Sequence, residues 1–184
     1  MPVVIAMLRG VNVGPHNRMK MDVLRDLCGS LELRDVRTYV QSGNIVFRTN
    51  LRNPAALAKK IQTAIEKEFG FNPDVILRTT AEMRGVITRN PFAGMKNMEP
   101  SKLLVDFLAG DPAPEARKIV MAIKTDPEML HVGGRELYIY FPNGVGQSKL
   151  TWSSLEKILK TQGTARNWNS VTKLLAMAEE LGRP

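Results

Sequence analysis

The apolar residues come in short blocks, and the spacing within each block predicts an element. Val3 to Leu8 is a continuous apolar run stopped by Arg9-Gly10, the length and ending of a buried central strand. A loop rich in Gly, Pro and Asn follows from Gly10 to Arg18. Leu24, Leu27, Cys28 and Leu31 then recur at helical spacing, with Gly29 placed as a stop. Val36, Thr38 and Val40 alternate with Arg37, Tyr39 and Gln41, which predicts a half-buried strand. Ser42-Gly43-Asn44 turns the chain, and Ile45 to Phe47 returns it as a hairpin. Asn53 as N-cap and Pro54 at the first helical position open a helix. Its apolar face is Leu57, Ile61, Ala64, Ile65 and Phe69, and Gly70 ends it. Val75 to Leu77 reads as a fourth strand.

This βαββαβ order is the split pattern of the ferredoxin-like fold, and it recurs. Thr79 to Asn90 predicts a linking helix, with Thr79 and Glu82 at capping-box spacing and Met83, Val86 and Ile87 on one side. Asn90-Pro91 ends it. Leu103 to Leu108 begins the second round. Asp111-Pro112 opens a helix with Ala116, Ile119, Val120 and Ile123. Met129 to Val132 and Glu136 to Phe141 flank Gly133-Gly134, a hairpin signal. Ser153 and Glu156 form a second capping box, before Leu155, Ile158 and Leu159. A short strand is expected near Thr164 to Arg166. Asn169 then caps a final helix carrying Val171, Leu174, Leu175 and Ala178, stopped by Gly182.

The expected architecture is α+β: two ferredoxin-like βαββαβ modules, residues 1–78 and 101–184. A linking helix and loop over 79–100 joins them, and a C-terminal helix closes the second. Val3 to Leu8 and Leu103 to Leu108 are apolar on nearly both faces, so the modules are expected to pack together rather than leave one sheet face in water.

Composition narrows the function classes. The 184 residues carry a net charge of +8, which favours polyanions or small anionic molecules as partners and says nothing of the fold. The single cysteine, Cys28, excludes an internal disulfide and fits a reducing, cytoplasmic compartment. Met1 to Leu8 is interrupted by Arg9-Gly10 and is too short for a signal peptide. No stretch approaches the ~18 apolar residues of a membrane span. The expected state is a monomer or weak homodimer without membrane contact.

Several strings carry a resemblance. They are Leu8-Arg9-Gly10-Val11-Asn12-Val13-Gly14, Val36-Arg37-Thr38-Tyr39-Val40-Gln41-Ser42-Gly43-Asn44 and Asn90-Pro91-Phe92. Further on come Gly144-Val145-Gly146-Gln147-Ser148-Lys149-Leu150 and Arg166-Asn167-Trp168-Asn169. Together they resemble the bacterial domain-of-unknown-function 1697 family, from about Val3 to Ala178. The resemblance implies no established activity and no catalytic residue to carry over. Pro15-His16 departs from the family, which usually continues with small or basic residues there.

Two polar strings are candidate chemistry. In a ferredoxin-like module the end of strand one and the hairpin after strand two lie at one sheet edge, which brings Arg9, Asn12 and Gly14 near Gln41, Ser42 and Asn44. In the second module the loop after strand three lies beside the end of strand four. That brings Gln147, Ser148 and Lys149 near Arg166, Asn167 and Asn169. Glycines let backbone N–H groups face a ligand, Arg binds phosphate or carboxylate bidentately, and each loop runs toward a helix N-terminus. The competing reading is that these residues shape turns and caps.

Other chemistries find little support. Gly144 to Lys149 lacks the Gly-Lys-[Ser/Thr] ending of a P-loop and the third glycine of a dinucleotide fingerprint. The two histidines, His16 and His131, and one cysteine do not make up a zinc set, so no metal or cofactor is expected. Cys28, on an apolar helical stripe, reads as a buried structural thiol. Tyr138, Tyr140, Trp152 and Trp168 offer stacking surface but read first as packing. The first reading is therefore a binder of a small phosphate- or carboxylate-bearing ligand. The alternative is weak, non-specific nucleic-acid binding by the basic surface. The aromatics that RNA-binding sheets use are missing from Val3 to Leu8 and reduced to Phe47 in the third strand.

Overall fold

The computed structural model describes residues 1–183. The protein is α+β, with two four-stranded antiparallel sheets and six α-helices among the described residues. The chain divides into two compact units: Met1–Arg84 with the chain from Lys173 onward, and Gly85–Thr172.

The first unit contains β1 (Val3–Leu8), α1 (Met21–Ser30), β2 (Arg34–Tyr39), β3 (Asn44–Arg48), α2 (Pro54–Phe69) and β4 (Val75–Thr79). The sheet order is β2-β3-β1-β4. β1 is central, pairing Ile5 with Val46 on one side and with Arg78 on the other. Alternation along β1 sends Val4, Ala6 and Leu8 into a core with Ile45 and Phe47. Leu24 and Cys28 of α1 and Leu57, Ile61 and Ile65 of α2 complete that core, as their helical spacing predicts. Each such aliphatic side chain contributes roughly 1.5–3 kcal/mol on burial. Ile5, Met7, Val46 and Ile76 are buried as well, so β1 is out of water on both faces. The Asn53-Pro54 start of α2 forms as expected, the Asn53 side chain accepting the Ala56 N–H at 3.1 Å. β2 is an edge strand, and its register slips between Arg34 and Arg37.

The end of β4 passes directly into α3 (Thr80–Thr88) through the expected capping box. Glu82 accepts the Thr79 N–H at 2.7 Å, and the Thr79 hydroxyl accepts the Glu82 N–H at 3.1 Å.

The second unit repeats the order with β5 (Leu103–Leu108), α4 (Pro114–Met121), β6 (Met129–Gly133), β7 (Glu136–Tyr140), α5 (Trp152–Leu159) and β8 (Gly163–Asn167). Its sheet order is β6-β7-β5-β8. Leu108, Leu137 and Ile139 form a core with Val120, Leu155 and Leu159. α6 (Trp168–Gly182) follows β8. Its later residues belong to the first unit, where Glu180 pairs with Arg37 and Glu179 with Arg84, each at 2.8 Å.

Three helix starts differ from the sequence reading. α4 begins at Pro114 rather than at Asp111-Pro112, because the Asp111 carboxylate takes Arg117 and the Pro112 carbonyl accepts Arg117 Nε at 2.9 Å. The Ser153–Glu156 box does not form. The N-cap position of α5 is Thr151, whose hydroxyl makes no cap bond to the backbone and shares a 2.7 Å hydrogen bond with the Ser154 hydroxyl, and Glu156 instead accepts the Gly163 N–H at 3.2 Å. α6 starts at Trp168, not after Asn169, since the Asn167 side chain accepts the Ser170 N–H at 2.9 Å.

Candidate anion-binding site

β1 pairs antiparallel with β3 and β3 antiparallel with β2, so β1 and β2 run the same way and end together. The loop after β1 therefore meets the β2–β3 hairpin. The Leu8 N–H donates to the Gly43 carbonyl at 2.9 Å. Asn12 closes the junction with one side chain. Its Nδ2 donates to the carbonyls of Met19 at 2.9 Å and Gln41 at 2.7 Å, and its Oδ1 accepts the Met19 N–H at 2.8 Å. Asn12 holds φ 54°, a left-handed conformation that Asn tolerates better than most residues. Asn17, at φ 51°, donates from its side chain to the Gly10 carbonyl at 3.0 Å, and its own carbonyl accepts the Asn12 N–H at 3.0 Å.

Within this first cluster several side chains are committed to the loop itself. Asn44 is fully buried and donates to Ser42 Oγ at 2.9 Å and to the Tyr39 carbonyl at 3.2 Å. Gln41 contributes its carbonyl to Asn12. Arg9 lies 3.6 Å from Asp74 with a third of its side chain exposed. The sequence reading missed Arg18 and Lys20. Both are exposed, and neither side chain has a hydrogen bond or ion pair among the described residues. The signal was present, since residues 10–20 contain no acidic residue. Lys20 also occupies the N-cap of α1 and makes no side-chain cap bond there.

In the second unit the ends of β7 and β8 share a sheet end, with Leu103 opposite Tyr140 and Leu104 opposite Asn167. Gln147 ends a single 3-10 turn, Val145–Gln147. The Ser148 hydroxyl accepts the Leu150 N–H at 3.1 Å, and Lys149 is exposed without a partner among the described residues. Arg166 is buried and donates to Thr164 Oγ1 at 2.7 Å and to the Ala165 carbonyl at 2.9 Å. Desolvation pulls its guanidinium down to about 10, against the opposing pull of Asp106. Asn167 is the α6 cap.

A further residue escaped the sequence reading. Arg78 occupies in β4 the place Arg166 occupies in β8: fourth of five residues, just before a helix cap. It is 2% exposed and donates to the preceding carbonyl, Leu77, at 2.9 Å. Its signal was the parallel between Leu77-Arg78-Thr79 and Ala165-Arg166-Asn167.

The aromatic candidates are packing residues. Tyr138 is fully buried, donates to the Val86 carbonyl at 2.8 Å, and burial raises its phenol. Tyr140 packs against Phe92 at 6.3 Å between ring centres, and Trp152 against Phe141 at 6.4 Å. Trp168 is buried. Cys28 is buried too, and desolvation pushes its thiol up to about 12. Among the described residues no group of three or more His, Cys, Asp or Glu is arranged to hold a metal ion, and no helix is long and apolar enough to cross a membrane.

The fold and loops define an α+β protein with a repeated sheet and two polar loop clusters. Residues 1–138 match the family described as "Protein of unknown function (DUF1697)", and the chain belongs to that family. Among solved structures it is similar to a conserved bacterial protein from Streptococcus pneumoniae, with 22% identity and a TM-score of 0.74. That likeness covers 97% of this chain and 99% of the other, and at this identity it bears on the fold alone. No curated protein matches the chain.

Proposed function

We propose that the protein binds a small phosphate- or carboxylate-bearing ligand at the polar loop of its first unit; catalysis forms no part of this reading. The supporting observation is the Asn12 clamp. Three hydrogen bonds made by one side chain fix the Gly10–Lys20 loop while Arg18 and Lys20 remain exposed, without a side-chain partner among the described residues. A loop ordered before binding loses less entropy when it meets its ligand. In this proposal Arg9, Arg18 and Lys20 supply charge. Asn12, Gln41, Ser42 and Asn44 hold the shape, and backbone N–H groups at the start of α1 face the anion. The Gln147-Ser148-Lys149 loop with Arg166 and Asn167 is proposed as a second, looser cluster in which Lys149 carries the charge.

We also read each β-α-β-β-α-β run as a ferredoxin-like module, 1–78 and 101–184 with a 79–100 link; the two sheet orders support this. The single cysteine supports a cytoplasmic setting. Weak, salt-sensitive nucleic-acid binding is the second reading. It rests on the +8 charge, since Tyr138 and Tyr140 are buried.

The test is a thermal-shift panel of nucleotides, sugar phosphates and carboxylates. A ligand specific for the folded state at 100 times its dissociation constant adds about 2.7 kcal/mol, which raises the melting temperature of a chain this size by about 5–11 °C. The Arg18→Ala and Lys20→Ala variants should reduce that shift with little change to the apo protein. A broad panel without any shift would end the proposal.

A further inference from the structure

We infer that the first unit carries a second ligand site, at the opposite end of its sheet from the polar loops, that takes a small carboxylate with a short apolar tail. A solvent-open cavity of about 440 Å³ lies there, between the end of α1, the start of β2 and the segment after β3. That volume falls within the roughly 300–1,000 Å³ range of small-molecule pockets.

The lining has the two halves such a ligand needs. Leu33 lines the cavity at 3% exposure, while Met1 and Leu51 stand on it 46% and 39% exposed, large apolar side chains left in water. Thr49, buried at 1%, fixes the wall: its N–H donates to the Pro2 carbonyl at 3.1 Å, and its hydroxyl accepts the Leu51 N–H at 3.1 Å. Arg34 and Asn50 supply the polar half. Both are exposed and line the cavity, and neither side chain has a hydrogen bond or ion pair among the described residues. Glu32, the acidic side chain at the rim, is offset by Lys60 at 3.4 Å. Among the charged side chains lining the cavity Arg34 is therefore the uncompensated one, and its planar fork matches a carboxylate and opposes an amine. Burial of a short alkyl chain against Leu33, Met1 and Leu51 supplies the apolar contribution.

The probe is hexanoate, followed by amide NMR on the full chain, with hexylammonium as a control of equal length and opposite charge. The expected result is saturable shifts at Leu33, Arg34, Asn50 and Leu51, with a dissociation constant on the order of 1 mM. Hexylammonium should leave these amides unsaturated at the same concentration. Arg34→Gln should weaken hexanoate by about fivefold or more, and the neutral Leu51→Asn should also weaken it, through the apolar wall. Absence of saturation with hexanoate, equal response to hexylammonium, or unchanged affinity in Arg34→Gln would each overturn the inference. The wild-type comparison of the two probes decides the matter even where a variant folds poorly.

Discussion

The two polar loops began as equals in sequence, each a string of Gly, Asn, Gln and Ser beside a cation, and the structure builds them in different ways. The first is locked across the fold. Asn12 reaches from the loop after β1 to Gln41 in the hairpin, 29 positions away, and takes both backbone groups of Met19. Among the described residues the hydrogen bonds of the second are local, made in the Val145–Gln147 turn and by the Leu150 N–H, which donates to the Ser148 hydroxyl two residues back. Similar composition thus yields a rigid loop in one unit and a locally closed turn in the other. The deciding factor is whether one side chain finds distant backbone partners.

That contrast makes a ranked set of predictions. The largest effect belongs to Gly43→Ala. Gly43 sits at φ 71° in the hairpin, and an added Cβ would lie 2.8 Å from Leu8 Cβ in the core. Left-handed strain and overpacking together should cost about 3–4 kcal/mol, a fall of about 6–16 °C in melting temperature. Its counterpart Gly146→Ala meets nothing within 4 Å and has no positive φ, so chemical denaturation should place it within about 0.5 kcal/mol of wild type. A comparable loss in both would erase the contrast.

Asn12→Ala comes next. It removes three hydrogen bonds and strands the backbone of the buried Met19. The expected loss is about 2–3 kcal/mol, with hydrogen exchange rising at residues 10–20 while the rest of the sheet stays protected. Ser148→Ala removes one local bond and should cost about 0.5–1 kcal/mol, with exchange changed only beside it. Equal losses from Asn12→Ala and Ser148→Ala would mean that the first loop is no more constrained than the second.

The same distinction explains how much was legible in the sequence. Strands and helices fixed by spacing were readable: β1 from an unbroken apolar run, β5 from a run interrupted by Asp106, α2 from Asn53-Pro54, and α3 from Thr79 and Glu82, each signal lying within a few residues. Where a polar residue had two local choices, the reading slipped. Asp111 went to Arg117 instead of capping α4, and Glu156 went to Gly163 instead of closing a box with Ser153. The polar strings after β1 and β2 were correctly expected to meet, because strand direction alone requires it. The part Asn12 plays was not legible, since its partners are set by tertiary structure. Arg78 was missed for the same reason. An arginine inside a five-residue strand reads as solvent-facing, whereas this one is buried.

The smallest predicted effect is on apo stability, from neutralising the exposed cations, and there the functional claim is tested most directly. Amide NMR titration with inorganic pyrophosphate, at moderate salt, should give saturable shifts at residues 10–20 and at 41–44. The Arg18→Ala/Lys20→Ala double variant should abolish them while leaving its unliganded spectrum otherwise unchanged. Shifts scattered over surface lysines and arginines throughout the chain, without saturation and undiminished in the double variant, would contradict the account.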